Sequence, residues 1–362
     1  MNFGLSEEQL LLTSTLKRFL DEQCPTTRVR AIMEGDSGHD AGLWQGLVDL
    51  GITGLIIPSA YGGSNLELLD LALAAEELGA AATPGPFLGS SMATLALLEG
   101  GDAPQRERWL PRIAAGTTLV TVALGEAESE WDPKKYTTRA ANGRLNGSKP
   151  LVPYAGIADA LVVAAVDETG PGLWLVERGA PGVAIAPLKV VDMTRRVDTV
   201  SFTNSPATKL GGSPAALQRT LDAGCVLIAA DAYGGSRRCV EMTVQYAKQR
   251  EQFGQIIGAF QAVKHQLANM ACEIEPSLSL YWYAAHAFDR MRDQSERHAA
   301  LAKAHLTDLY DRITRDATEL HGGIGFTWEF DMHLWFRRAV FDRSFLGEAN
   351  VHRARAADLA GW

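Results

Sequence analysis

The sequence predicts an α+β fold, mainly α, arranged helical, then β, then helical. Three observations predict it. Apolar residues recur at helical spacing through the first ~115 residues. From about Leu119 the pattern changes to short β-prone runs separated by glycine- and proline-bearing turns. After Gly211-Gly212 the chain returns to long stretches rich in alanine and leucine. The corresponding division is a helical domain over 1–117, a β domain over 118–210 and a helical domain over 211–362.

The first helix starts at Ser6, an N-cap residue followed by Glu7 and Glu8, whose charges favour the positive end of a helix dipole. Leu11, Leu12, Leu16, Phe19 and Leu20 then mark its apolar face. Tyr61-Gly62-Gly63-Ser64 predicts a turn, Leu66 to Ala82 a second helical run, and Thr83-Pro84-Gly85-Pro86 its end. The β-prone runs are Leu119–Leu124, Leu161–Val166, Leu173–Val176 and Thr199–Phe202. Turns at Asn142-Gly143, Asn146-Gly147 and Gly170-Pro171-Gly172 space them as in a small antiparallel barrel or sandwich. In the last third, Val263, Leu267, Met270 and Ile274 form one apolar stripe, the mark of a bundle core.

Hydrophobic residues make up 46% and charged residues 21%, a balance that supports a sizeable core. A net charge of −9 argues against a nucleic-acid partner, whose phosphates demand a basic surface. No apolar stretch is long enough for a membrane span, and Met1 to Leu12 lacks a signal peptide's basic and apolar regions, so a cytoplasmic protein is expected. Cys24, Cys225, Cys239 and Cys272 are far apart and predict reduced thiols. The i,i+7 spacing of His298 and His305 has no acidic partner pattern, so no metal is expected. Tyr281-Trp282-Tyr283 reads as a packed helix or subunit contact, and Arg337-Arg338 as a helix-end cap or a contact for an acidic partner.

Two segments point to chemistry. The first carries Arg250-x-x-Phe253-Gly254 and then Phe260-Gln261; the second, about seventy residues on, carries Gly322-Gly323-x-Gly325. Arg250 is a permanently charged fork that suits a pair of phosphate oxygens. Phe253 offers a flat face to an aromatic ring, Gly254 permits close backbone approach, and Gln261 can hydrogen-bond a ring edge. The three glycines let backbone N–H groups face an anion or a nucleotide. The plainer reading places Arg250 in a surface salt bridge and the glycines at an ordinary helix end.

With these motifs, and with its helical–β–helical order, the whole chain resembles the acyl-CoA dehydrogenase family. The resemblance implies an N-terminal helical domain, a middle β-barrel or sandwich domain and a C-terminal four-helix bundle. It implies FAD as cofactor, an acyl-CoA substrate desaturated next to its thioester, and an electron-transfer flavoprotein as electron acceptor. It assigns Arg250, Phe253, Gly254, Gln261, His321, Gly322, Gly323 and Gly325 to the pyrophosphate and adenine end of FAD. Glu319 departs from the glutamine of many relatives, and an acid near a pyrophosphate is unfavourable unless it faces away.

The resemblance also shows what the chain lacks. The family needs a carboxylate to remove the proton α to the thioester. Its usual seat aligns with Leu346, and an alternative seat on an earlier helix aligns with Gly224, with Asp222 and Asp231 off position. Relatives carry a Thr-Glu-Pro-(small)-Gly-Ser-Asp loop over the flavin, where this chain has Leu124-Gly125-Glu126-Ala127-Glu128-Ser129-Glu130. Three acids there would repel FAD phosphates. A Trp-Ile-Thr (or Ser) contact to the flavin ring is replaced by Leu151-Val152-Pro153. In family structures FAD crosses a subunit interface, one subunit giving the ring side and the base, its neighbour the ADP side. The ADP-side set is present here and the ring-side set is not.

That imbalance predicts a chain resembling the partner subunit of α2β2 acyl-CoA dehydrogenases of bacterial sterol side-chain degradation, completing the site of a catalytic paralogue. An alternative is a self-sufficient homo-oligomeric dehydrogenase with Glu348, two residues past the usual seat, as a relocated base. A third is a non-enzymatic scaffold protein.

Overall fold

The computed structural model describes residues 4–212 and 214–362; Met1–Phe3, part of the segment read for a leader, lie outside the described residues. Six helices come first: α1 (Glu7–Gln23), α2 (Thr26–Glu34), α3 (Ala41–Asp49), α4 (Leu68–Ala80), α5 (Phe87–Gly100) and α6 (Ala103–Ala114). Ser6 does cap α1, and its partner in a reciprocal capping box is Gln9. Gly62 takes a left-handed φ of 82° in the expected turn, and α4 falls inside the predicted second run.

The middle segment holds β1 (Val120–Ala123), β2 (Arg139–Ala141), β3 (Arg144–Pro153), β4 (Ala160–Asp167), β5 (Gly170–Glu177), β6 (Val183–Leu188), β7 (Val197–Pro206) and β8 (Thr208–Lys209). The expectation of a purely antiparallel sheet is corrected: β1 and β2 both pair parallel to β4. They lie end to end along one edge of β4, Val120 opposite Ala160 and Arg139 opposite Val166, while β5 pairs antiparallel along β4. Residues 124–138 are therefore an excursion out of what is nearly one broken strand. The sandwich-like character holds. Along β4, Ala160, Val162 and Ala164 join the core shared with the helices. Leu161, Val163 and Ala165 enter a second core with Leu145, Val152, Trp174 and Phe202.

The last segment comprises α7 (Ala215–Gln249), a short hairpin of β9 (Glu251–Gln252) and β10 (Gln255–Ile256), α8 (Gln261–Arg290), α9 (Arg292–His321), α10 (Met332–Ser344) and α11 (Ala349–Leu359). Helices α4 and α7 touch backbone to backbone, which only glycine allows: a Cβ on Gly234 would lie 1.9 Å from the Glu76 carbonyl oxygen. The stripe on α8 is core only at its far end: Met270 and Ile274 are buried, whereas Val263 and Leu267 are half-buried. Tyr281 is buried and donates to Glu76, and Trp282 Nε1 donates to the Tyr281 hydroxyl at 2.7 Å, the packed reading of that cluster. Among the described residues no helix is long and apolar enough to cross a membrane.

Candidate functional site

The two motif segments meet at the end of α7. Tyr246, one turn before Arg250, donates its hydroxyl to the His321 carbonyl at 3.3 Å, and the two rings lie 4.4 Å apart. Phe330 packs against both. This aromatic cluster brings Arg250 and Gly322 onto one face.

On that face the side chains point outward. Arg250 is exposed, and among the described residues it forms no ion pair, so the plain salt-bridge reading finds no partner. Phe253 and Gly254 are the two central residues of the β9–β10 turn, with φ of 54° and 80°. A turn of this kind favours Asn-Gly; a phenylalanine in left-handed backbone costs about 1–2 kcal/mol. Its ring is 93% exposed, with an edge contact to Phe260 at 6.3 Å. Gln261 opens α8 and is exposed, as is Glu319 on α9. Gly322 ends α9 with a φ of 65°. A Cβ on Gly322 or Gly323 would meet nothing within 4 Å, whereas one on Gly325 would lie 2.5 Å from the Thr318 carbonyl oxygen. Gly325 therefore serves packing, and close approach at Gly323 is open to a molecule from outside. His321 is 3% exposed. Its Nδ1 donates to the Ala317 carbonyl at 2.7 Å, leaving Nε2 buried as an acceptor without a donor among the described residues, and burial lowers the ring's pKa.

The two seats for a base converge in the interior. A Cβ built on Gly224 would lie 2.6 Å from Leu346 Cδ1 and 2.5 Å from Met92 Cε. Leu346 is buried with a φ of 63°, another bulky residue in left-handed backbone. Two groups hold this loop. Lys303 is fully buried and donates to the carbonyls of Asp342 at 2.6 Å and of Arg343 and Gly347 at 3.2 Å. Burial pulls its pKa down to about 8. His352 Nε2 lies 2.9 Å from the Leu346 carbonyl oxygen, and burial and the Lys303 charge push the ring down to about 3. Phe345 meets Trp131 edge-on at 4.9 Å and stacks on Phe341 at 5.0 Å.

The acids near these seats are engaged elsewhere. Asp222 pairs with Arg355 at 2.5 Å. Asp231 pairs with Arg338 at 2.5 Å and Arg195 at 2.8 Å, and Arg195 also lies 3.1 Å from Asp342. Arg338 is thus buried among carboxylates and neither caps a helix end nor faces a partner, while Arg337 lies over the Trp328 ring at 4.8 Å. Glu348 is exposed at the N-terminus of α11, and Arg353 pairs with Asp308.

The acidic excursion over 124–130 is less repulsive than its sequence implies. Glu126 is buried and accepts from Lys149 Nζ, Thr137 and the Thr138 N–H, while Glu130 pairs with Lys135. Burial by itself would raise the Glu126 carboxyl, but these hydrogen bonds and the Lys149 charge hold it down to about 2. Glu128 is left exposed, with a φ of 59°. Sequence reasoning missed Lys149, Lys303 and the Arg195–Asp231–Arg338–Asp342 network. A lone lysine amid alanines on α9 was the available signal for one of them.

Models of the acyl-CoA dehydrogenase C-terminal and N-terminal domains match residues 211–360 and 6–117. The acyl-CoA dehydrogenase IpdE2 of Mycolicibacterium smegmatis is 33% identical over 95% of this chain and 96% of its own. The structure of the Tcur3481-Tcur3483 steroid ACAD G363A variant superposes with a TM-score of 0.92 at 32% identity, covering 98% of each chain. The ChsE4-ChsE5 complex from Mycobacterium tuberculosis gives 0.91 at 26% identity, over 100% of this chain and 99% of that one. Matched in its first and last segments and along nearly the full length of such relatives, the chain belongs to the acyl-CoA dehydrogenase family.

Proposed function

We propose that this chain is the supporting subunit of an FAD-dependent acyl-CoA dehydrogenase and supplies the ADP-side contacts to a catalytic paralogue in an α2β2 assembly. The observation that carries the reading is the contrast between an outward-facing Arg250–Phe253–Gly323 set, unpaired among the described residues, and an interior in which both base seats lack a carboxylate.

FAD is the cofactor of the family. The residues here fit its ADP half. Arg250 suits the pyrophosphate, Phe253 the adenine face, and the backbone at Gly322–Gly323 a close approach. His321 Nε2 is an acceptor, so it suits a hydroxyl or amino group and not a phosphate oxygen. The ring half does not fit: Leu151-Val152-Pro153 has no side-chain donor, and Leu346 cannot take a proton. When bound, FAD supplies the hydride acceptor for α,β-desaturation. The proton-accepting carboxylate then belongs to the partner, and this chain binds and orients. The names of the relatives, a steroid ACAD and a two-component complex, support a steroid thioester as substrate, which we take to be a sterol side-chain CoA, and a heteromeric partner. An electron-transfer flavoprotein is the expected electron acceptor.

The test is flavin stoichiometry. Purified alone, the chain should hold little FAD and turn over no acyl-CoA; co-expressed with a catalytic paralogue, the complex should be yellow and active with one FAD per heterodimer. A yellow, active homo-oligomer of this chain overturns the proposal.

A further inference from the structure

The interior around Leu346 does more than lack a base. Met92 of α5, Gly224 of α7 and Leu346 of the α10–α11 loop come from the N-terminal helices and two different parts of the C-terminal helices, yet their tips converge on one point. Met92 is 0% and Leu346 3% exposed. Trp131, carried on the excursion from the middle strands, closes the same loop from another side through its contact with Phe345. The space between the two seats is therefore filled with thioether, isobutyl and aromatic groups. A nearby cavity of about 30 Å³ is lined by Leu88, Leu227 and Phe341 together with Arg195, Asp231 and Arg338. That is room for a water or two and for no acyl group.

The filling is held actively. A leucine relaxes out of left-handed backbone unless its surroundings forbid it. Here the buried Lys303 ammonium fixes the Gly347 carbonyl of the loop and the Asp342 and Arg343 carbonyls of the last turn of α10, and His352 fixes the Leu346 carbonyl. Gly224 matters in the opposite sense: its missing Cβ is what lets the ends of Met92 and Leu346 pack side by side. Loss of a catalytic carboxylate alone would not require this; a degraded site would be expected to leave a void or a solvated pocket.

We propose that Met92, Leu346, Phe345 and Trp131 form a built-in plug that closes this subunit's own acyl slot, with Lys303 and His352 as the positioning residues that aim Leu346 into it. The plug keeps an acyl-CoA from binding unproductively at a seat with no base, so that substrate reaches only the partner's site. The inference rests on the supporting-subunit reading for its purpose, but its physical content does not depend on flavin.

The test therefore reads cavity occupancy and not flavin. Met92→Ala with Leu346→Ala removes six heavy atoms and should open an apolar cavity on the order of 100 Å³, a size that takes up benzene or xenon. Saturating benzene should raise the Tm of the full-length double variant by about 2 °C and leave the wild type unmoved. Xenon in a crystal of the variant should sit between positions 92, 224 and 346. If the double variant folds poorly, Met92→Ala alone should show the same xenon peak at lower occupancy. Lys303→Met, which frees the loop, should speed amide exchange at 345–347 roughly tenfold. The plug is overturned if the wild type takes up benzene or xenon at that point, or if the variant takes up neither. A wrong FAD count in the mixed assembly would sink the supporting-subunit reading and leave these results standing.

Discussion

Leu346 and Phe253 are both bulky residues in left-handed backbone, with φ of 63° and 54°, and they are held in opposite ways. Around Leu346 the restraints are internal: Lys303 and His352 grip the Gly347 and Leu346 carbonyls, and the end of Met92 meets it over Gly224. Around Phe253 the chain provides an antiparallel turn and one edge contact, and the ring stays 93% exposed. Strain inside is balanced by the protein's own packing. Strain outside is set against a two-residue hairpin ladder and one ring edge, which is what a surface prepared for another molecule looks like. The charges follow the same division. Arg338, Arg195 and Lys149 are buried and paired with carboxylates, whereas Arg250, on the motif face, is exposed and unpaired among the described residues.

The comparison breaks first if the interior network is not what holds the segments together. Arg338→Ala removes both bonds to Asp231 and the bond to the Thr83 carbonyl, leaving Asp231 and Asp342 to share Arg195. Stranding a buried carboxylate should cost about 4–5 kcal/mol in urea unfolding. A loss under about 1 kcal/mol would mean that water reaches the network and the interior is not closed. The Arg250→Ala counterpart should stay within about 0.5 kcal/mol of wild type, since an exposed, unpaired side chain has little to lose.

The second break concerns the excursion over 124–138. In the folded chain the Glu126 carboxyl is held down to about 2, below the usual glutamate value of 4.5. Its contribution is fully present above about pH 4.5 and is lost as pH falls from there towards 2. Glu126→Gln should remove that part of the acid dependence and cost about 3 kcal/mol at neutral pH, because Lys149 is left buried without its carboxylate. An unchanged acid limb in a urea-against-pH series would show that Glu126 is solvated, and its charge would again lie open on the ring-side loop.

Much of this division was legible in the residues. The two motif segments and the order of helices and strands follow from side-chain type and spacing, and the loss of both base seats is what the family resemblance implies. The fold adds that seats 122 residues apart in the chain, Gly224 and Leu346, touch one point. Strand β3 was missed because its glycine, prolines and polar residues hide the alternation of a half-buried strand, and β6 because alanines and a proline alternate with its larger apolar residues and no polar residue marks an outer face. The parallel pairing of β1 and β2 was missed because one strand is interrupted by a fifteen-residue excursion, which periodicity reads as two unrelated runs. Buried charge is the hardest class. Glu126 reads as a repelling acid and Arg338 as a surface cation until tertiary contacts show Lys149 beside one and Asp231 beside the other. Composition counts charges but does not say which way they point.

The smallest expected effect is the most discriminating. Phe253→Asn places at the first position of the β9–β10 turn the residue that such turns favour, followed by the Gly254 already there. Asparagine tolerates left-handed backbone, so the isolated chain should gain up to about 1 kcal/mol. The same change removes a flat ring that the chain itself barely touches. If Phe253 is held in place for a partner's cofactor, the co-expressed complex should lose FAD several-fold faster on dilution even as the free chain becomes more stable. Stability and flavin retention moving in opposite directions is an outcome that a merely structural phenylalanine cannot produce. Should both rise together, the exposed face is not the ADP grip, and the contrast with the closed interior would need another cause.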